Sequence, residues 1–215
     1  MWKWKLAQWL ELKWWKRYTA NKSKQDYIAW KTTYWKRLFE KIGIVQDIRN
    51  ADNLIDFGCG PFGVALLNET WQKLLVAVDP LIDSYEIELP FFSKSDYTHT
   101  TFLHQKMEDF SSKKTFEIVF CLNAINHVAD IEKAFAILSS ATRPLGKLAL
   151  GIDAHNFSFL KHLFRLIPGD LLHPHQYDLD EYISFLEKHG FIFISKHKIN
   201  NDFIFGYWVI VAERA

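Results

Sequence analysis

The chain has 215 residues, 49% of them apolar, and a formal net charge of +1, which excludes disorder over most of its length and fits one domain with a full core. Its two cysteines, Cys59 and Cys121, have no metal-type partners nearby, and no apolar run reaches the ~18 residues of a membrane span, so we expect a reduced, soluble, cytoplasmic protein with no metal. The charge is uneven: residues 1–41 carry eleven Lys or Arg against three acids, a balance of +8, which leaves −7 for residues 42–215 and marks a basic arm that meets either something anionic or the acidic body.

Two helices are expected first, over residues 1–19 and 24–42, with the polar "TANKS" between them and Gly43 as the stop. Lysines interrupt the tryptophans from the first residues, which argues against a cleaved leader. At 100° per residue, Trp4, Ala7, Trp14, Trp15 and Tyr18 form one apolar arc broken only by Glu11. A second stripe, Trp2, Leu6, Trp9 and Leu10, is interleaved with Lys13 and Arg17. In the next helix Ile28, Trp35, Phe39 and Ile42 share a stripe beside Tyr27, Trp30, Tyr34 and Leu38. We read residues 1–43 as a Trp-rich arm or lid and 44–215 as the main domain. The arm is expected to fold over a ligand mouth, with membrane-surface contact and a dimer contact as the alternatives.

From Asn53 the rhythm becomes strand, turn, helix. Strands are expected at 54–57, 74–78, 101–104, 118–122 and 147–152, with helices at 64–72, 81–89 and 131–142, the last ending before an "RPLG" turn. That alternation predicts an α/β, Rossmann-like, mostly parallel sheet. A helix over 178–189, stopped by Gly190, precedes two β-rich runs, 191–199 and 203–212, joined by "NND" as a hairpin. Residues 155–177 read as a segment inserted after the fifth strand, holding a short helix.

The first strand ends at Asp56, and Gly58, Cys59, Gly60 and Gly63 turn the chain into a helix. Glycine lets backbone approach a ligand closely, and a helix start offers free N–H groups. The second strand ends in "VAVDP", which puts Asp79 where an acid suits two vicinal ribose hydroxyls. The spacing Gly58-x-Gly60-x-x-Gly63 also meets the dinucleotide fingerprint. Asp56 just ahead of it disfavours a pyrophosphate and suits an ammonium, and a terminal hairpin replaces a second βαβαβ half.

"LIDFGCGPFG", "VAVDP", "MEDF", "FEIVFCLNAINHV" and "RPLGKLALGID", in this order, resemble the successive motifs of the class I S-adenosylmethionine-dependent methyltransferases over residues 50–212. Each motif alone is unspecific; five in register point to the superfamily and say nothing of the acceptor. The resemblance implies a seven-stranded sheet and S-adenosylmethionine as cofactor. By position, Asp56 and the Gly58–Cys59–Gly60 turn would hold its methionine part and Asp79 the ribose hydroxyls. Pro80 or Leu81 would lie against adenine, Met107 and Glu108 at the adenine edge, and Asn123 and Ala124 under the sulfonium. The chain departs from the family where an acid often precedes the position of Met107 and Gln105–Lys106 stand instead, which leaves the partner of adenine N6 open. It departs again at Asn126, where relatives often carry Glu or Asp.

The cofactor would carry the reactive methyl, so the protein has to align donor and acceptor and, for a hydroxyl or protonated amine, supply a base. His127 and His155 are the candidates; His173 and His175 of "LLHPHQY" could line the same mouth. Asn126 and His127 could instead cap the following helix. "NPPY"-like signatures and a radical-type cysteine cluster are absent from the sequence. We therefore expect methyl transfer to an O or N acceptor on a small molecule, lipid or glycan, with no nucleic-acid partner and an open oligomeric state. The alternatives are a non-catalytic binding protein that docks through its Trp-rich arm, and an NAD-dependent reductase.

Overall fold

The computed structural model describes residues 2–155, 177–201 and 205–215, and of residues 2, 3, 155, 201 and 205 the backbone alone. Helices α1 (Trp2–Thr19) and α2 (Lys24–Lys41) lead the chain. Ser23 caps α2 by accepting the Asp26 N–H, and Gly43 ends that turn in the left-handed region at φ +76°. Tyr27, Trp35, Leu38, Phe39 and Ile42 are buried, while Trp30 of the second stripe faces solvent. The true seam therefore runs between the two stripes. A short helix α3 (Val45–Asn50), which the sequence reading left unassigned, seats Ile48 in the same core.

Next come β1 (Asn53–Phe57), α4 (Ala65–Trp71), β2 (Leu74–Val78), α5 (Ile82–Glu88), β3 (Thr100–Leu103), β4 (Phe116–Leu122), α6 (Ile131–Ala141), β5 (Thr142–His155), α7 (Leu179–Lys188), β6 (Phe191–Asn201) and β7 (Phe205–Arg214). They build one seven-stranded sheet in the order β3-β2-β1-β4-β5-β7-β6, with β7 antiparallel to both neighbours. Strands β1 and β4 are almost wholly buried, as continuous apolar runs covered on both faces must be. One core lies under α2, α3, α4 and α5, the other under α6 and α7. Fully burying a side chain such as Phe39 or Phe135 contributes about 1.5–3 kcal/mol of gross transfer free energy.

Two expectations need correction. "RPLG" is no free turn: Thr142 already pairs with Phe116, and the chain continues in β5 through a bulge with Leu145 at φ +62°. The first strand of the hairpin runs on to Asn201, past the expected end at 199. Between β1 and β4 the strand order reverses, and at such a point the carboxyl ends of an open α/β sheet leave a crevice.

Candidate active site

A narrow cleft, about 520 Å³ with the open solvent at its mouth included, lies at those carboxyl ends. Gly58 lines it from the turn after β1, Asp79 and Pro80 from the end of β2, and Lys106, Met107 and Glu108 from the loop after β3. Asn123, Ala124, His127 and Val128 close it after β4, and Trp4, Gln8 and Glu11 of α1 face it from the arm.

The glycine turn is held from behind. Asp56 is buried, and its Oδ2 accepts the Val64 N–H at 3.1 Å, tying the end of β1 to the start of the next helix. Gly58 stands at φ +67°, and a Cβ there would overlap that of Ala124. A Cβ on Gly63 would overlap the Cys59 carbonyl and lie 2.7 Å from Asp56 Oδ2. Both glycines are thus required by close approach of backbone. Cys59 and Cys121 are buried, and burial pushes both thiols up from their ordinary range.

Asp79 bridges two turns: Oδ2 accepts the Gly60 N–H at 2.9 Å and Oδ1 the Leu81 N–H at 2.8 Å. Each oxygen keeps a further lone pair for a ligand hydroxyl. Burial raises the Asp79 pKa to about 6 against the pull of those N–H groups, and burial aided by the Asp79 charge raises Asp56 to about 7. Two desolvated acids above one glycine turn favour a cationic or hydroxyl-bearing ligand.

The arm supplies what the sequence reading treated as a flaw. Glu11, the break in the apolar arc, accepts the Tyr85 hydroxyl at 2.9 Å across the cleft rim. Burial, with Asp79 adding repulsion, raises Glu11 to about 7. Trp15 packs on Phe62 and Tyr85 with ring centres 5.6 and 6.4 Å apart. Trp4 and Lys106 meet with the ammonium 3.7 Å from the ring centre. The inner arc thus faces the body, except that Trp14 stays exposed, as does Trp9, which carries the Lys13 ammonium at 3.6 Å. Buried Gln8 Oε1 has no hydrogen-bond partner among the described residues.

Because its folded pKa lies above its ordinary value of 4.5, Glu11 carries no penalty at low pH and an increasing one as pH rises towards about 7. Gln at this position keeps an oxygen for Tyr85 and never ionises. We expect the melting temperature of Glu11→Gln minus that of the wild-type protein to grow from pH 5 to pH 8. A difference that is flat or shrinks over that range removes Glu11 from the desolvated rim.

At the end of β4, Asn123 takes φ +61°, a left-handed conformation that non-glycine residues adopt at a cost. Asn126 is buried and its Nδ2 donates to Tyr182 Oη at 2.9 Å and to the Asp153 carbonyl at 3.2 Å. It braces β4 against β5 and α7 and does not cap α6; that cap is Asp130, which accepts the Lys133 N–H at 3.0 Å. His127 is half-buried in the turn Ile125–His127 and reaches the cleft. Glu108 lines it too, but its Oε1 accepts the Ala129 N–H at 2.7 Å and so fastens the loop before α6. On the β5 side, the Tyr207 hydroxyl lies so close to Gly151 that a Cβ there would overlap it.

The expected site residues Gly58, Asp79, Pro80, Met107, Glu108, Asn123, Ala124 and His127 therefore share one cleft, with Asp56, Cys59 and Gly60 in the turn behind it. The side chain of His155, with His173, His175 and nearly all of the expected inserted segment, lies outside the described residues. Gln8 and Glu11 were not among the expected residues. Among the described residues no group of three or more His, Cys, Asp or Glu is placed to hold a metal ion, and no helix is long and apolar enough to cross a membrane.

Residues 25–196 match the family described as methyltransferase domain. The ubiquinone biosynthesis O-methyltransferase of Rickettsia bellii is 26% identical over 117 residues, covering 48% of this chain and 48% of that protein. The chain thus spans about half the length of the curated relatives it matches. The YcgJ protein of Bacillus subtilis aligns with TM-score 0.62 and 15% identity over 81% of this chain and 98% of its own. The 1,6-didemethyltoxoflavin-N1-methyltransferase of Burkholderia thailandensis aligns with TM-score 0.59 and 11% identity over 89% and 87%. At these identities the structures establish a shared fold.

Proposed function

We propose an activity for this chain, which belongs to the methyltransferase-domain family: transfer of a methyl group from S-adenosylmethionine to an oxygen or nitrogen of a small, partly apolar acceptor. The observation that carries the reading is the pair of buried acids around one glycine turn, Asp56 behind it and Asp79 at its rim. The residues fit the cofactor: Gly58 leaves backbone room that a Cβ would fill, and Asp79 keeps a free lone pair on each oxygen. Bound there, S-adenosylmethionine supplies a sulfonium methyl, whose bond to sulfur breaks with the electron pair left on sulfur as the acceptor bond forms.

The chain's own residues do the rest. Asp79 accepts the ribose hydroxyls, and Asp56 with the Gly58–Cys59–Gly60 turn holds the methionine end. Pro80 and Met107 give the adenine its apolar walls, and Glu108 holds the loop beside them. Asn123 and Ala124 floor the reacting end, and His127 takes the acceptor proton, with His155 as the second candidate. Helix α1 belongs to the site as a lid; its outer face carries exposed Trp9 with Lys5, Lys13 and Arg17, which suits contact with a membrane surface.

Calorimetric titration with S-adenosylhomocysteine tests the reading. Asp79→Ala is expected to weaken binding about ten- to a hundredfold, since hydrogen bonds to a charged acceptor contribute roughly 1.5–3 kcal/mol. Unchanged affinity in a variant that melts cooperatively would take Asp79 out of the site. Methylated product from an acceptor panel separates an enzyme from a non-catalytic binder, and NADH binding in place of S-adenosylhomocysteine would favour a reductase.

A further inference from the structure

We propose that Gln8 of α1 is the adenine-recognition residue of this site, its Oε1 accepting a hydrogen bond from the adenine amino group. The assignment rests on the cofactor reading above and adds to it a residue from the arm. Buried side-chain oxygens in folded proteins almost always have a donor. Gln8 Oε1 is buried and has none among the described residues, yet Gln8 lines the cleft. An acceptor left without a partner, on a side chain that lines a binding site, is available to a ligand there.

Position along α1 selects which part of the ligand. Residues 4, 8 and 11 follow one face of a helix at spacings of four and three. Glu11 lies by Asp79 and Tyr85 at one end of that face, and Trp4 lies by Lys106 at the other. Gln8 therefore sits between the ribose acid and the loop that carries buried Met107. The donors of S-adenosylmethionine are the amino group of adenine, two ribose hydroxyls and the ammonium. Asp79 has a free lone pair for each hydroxyl, and Asp56 lies behind the glycine turn for the ammonium. The adenine amino group is the donor left over. In the loop after β3, the Lys106 ammonium lies over Trp4 and can only donate, and Glu108 Oε1 accepts the Ala129 and Asp130 N–H groups, which leaves Glu108 Oε2 as the other side-chain acceptor of that loop.

The test uses the full chain and two probes. One is S-adenosylhomocysteine; the other is its analogue with hydrogen in place of the adenine amino group. The wild-type protein is expected to bind the first about three- to tenfold tighter than the second. Gln8→Met keeps the volume and removes the oxygen. It is expected to bind both probes equally, at the weaker level. It also relieves a buried unsatisfied group, so the ligand-free variant should melt at or above the wild-type temperature. A wild-type protein that binds the two probes alike, or a Gln8→Met variant that keeps the preference, overturns the assignment and leaves the cofactor reading standing. Failure of the wild-type protein to bind either probe overturns both.

Discussion

Replacing His127 by alanine is expected to lower turnover about 10²–10⁴-fold, the usual contribution of a general base, while S-adenosylhomocysteine affinity stays within about threefold. His127 follows β4 in a tight turn whose N–H donates to the Ala124 carbonyl at 3.0 Å, so its backbone is set by the same turn that floors the cleft. Its side chain reaches the cleft that Gly58 and Asn123 also line. The duty of capping α6 belongs to Asp130, which removes the simplest structural reason for a histidine here. The measurement is S-adenosylhomocysteine formation with an acceptor found by screening, beside calorimetry on the same variant. Wild-type turnover together with a lower melting temperature would make His127 a packing residue.

Gly58→Ala is expected to lower the melting temperature by about 5–15 °C and to weaken S-adenosylhomocysteine binding. The left-handed conformation at φ +67° costs a non-glycine residue roughly 1–2 kcal/mol. Overlap of the new methyl with Ala124 adds about 1–3 kcal/mol of overpacking. Each kcal/mol moves the midpoint of a chain this long by about 2–4 °C. Relief of the overlap must part the glycine turn from the end of β4, and both line the cleft, so binding weakens with the shift. Gly43 is the control: it shares the positive φ, at +76°, but a Cβ there meets nothing within 4 Å. Gly43→Ala should therefore show the smaller strain cost and normal binding. Equal losses in the two variants would reduce the Gly58 effect to backbone strain.

The central strands were legible because each apolar run is closed by a residue that cannot continue it. Gly58 closes β1, with Asp56 one residue inside its end, and β2 was read at its observed bounds, Leu74–Val78, before "DP". The weakness lay where a local signal met a longer-range one. Pro144 and Gly146 do carry turn chemistry, and Leu145 does adopt a left-handed φ. Pairing of Thr142 with Phe116 nonetheless holds the segment in the sheet as a bulge. Helix α3, six residues long, is too short to show a period. At the site, residues at strand ends were legible because topology alone carries them to one place. Gln8 and Glu11 were not, because hydrophobic periodicity scores a polar residue on an inner face as noise. A polar residue within an apolar arc is instead the signal of what that arc covers. The role of Asn126 depended on Asp153 and Tyr182, far along the chain, which no local pattern contains.

With Trp4, Gln8 and Glu11 along the mouth, a bound nucleoside leaves on that side only when α1 lifts. Two kinds of latch oppose lifting. Lys16 pairs with Glu88 at 2.7 Å on the open surface, and Trp15 is packed on Phe62 and Tyr85. Added salt shortens the screening length from about 10 Å at 0.1 M to about 3 Å at 1 M, which loosens the first latch and the wider attraction between a basic arm and an acidic body. Strongly hydrated salts such as sulfate tighten the second. Where opening sets the pace of release, the residence time of spent cofactor becomes the slow step. Chloride then hastens its departure while sulfate prolongs it, and the choice of anion becomes a throttle on the cycle without touching the reacting atoms.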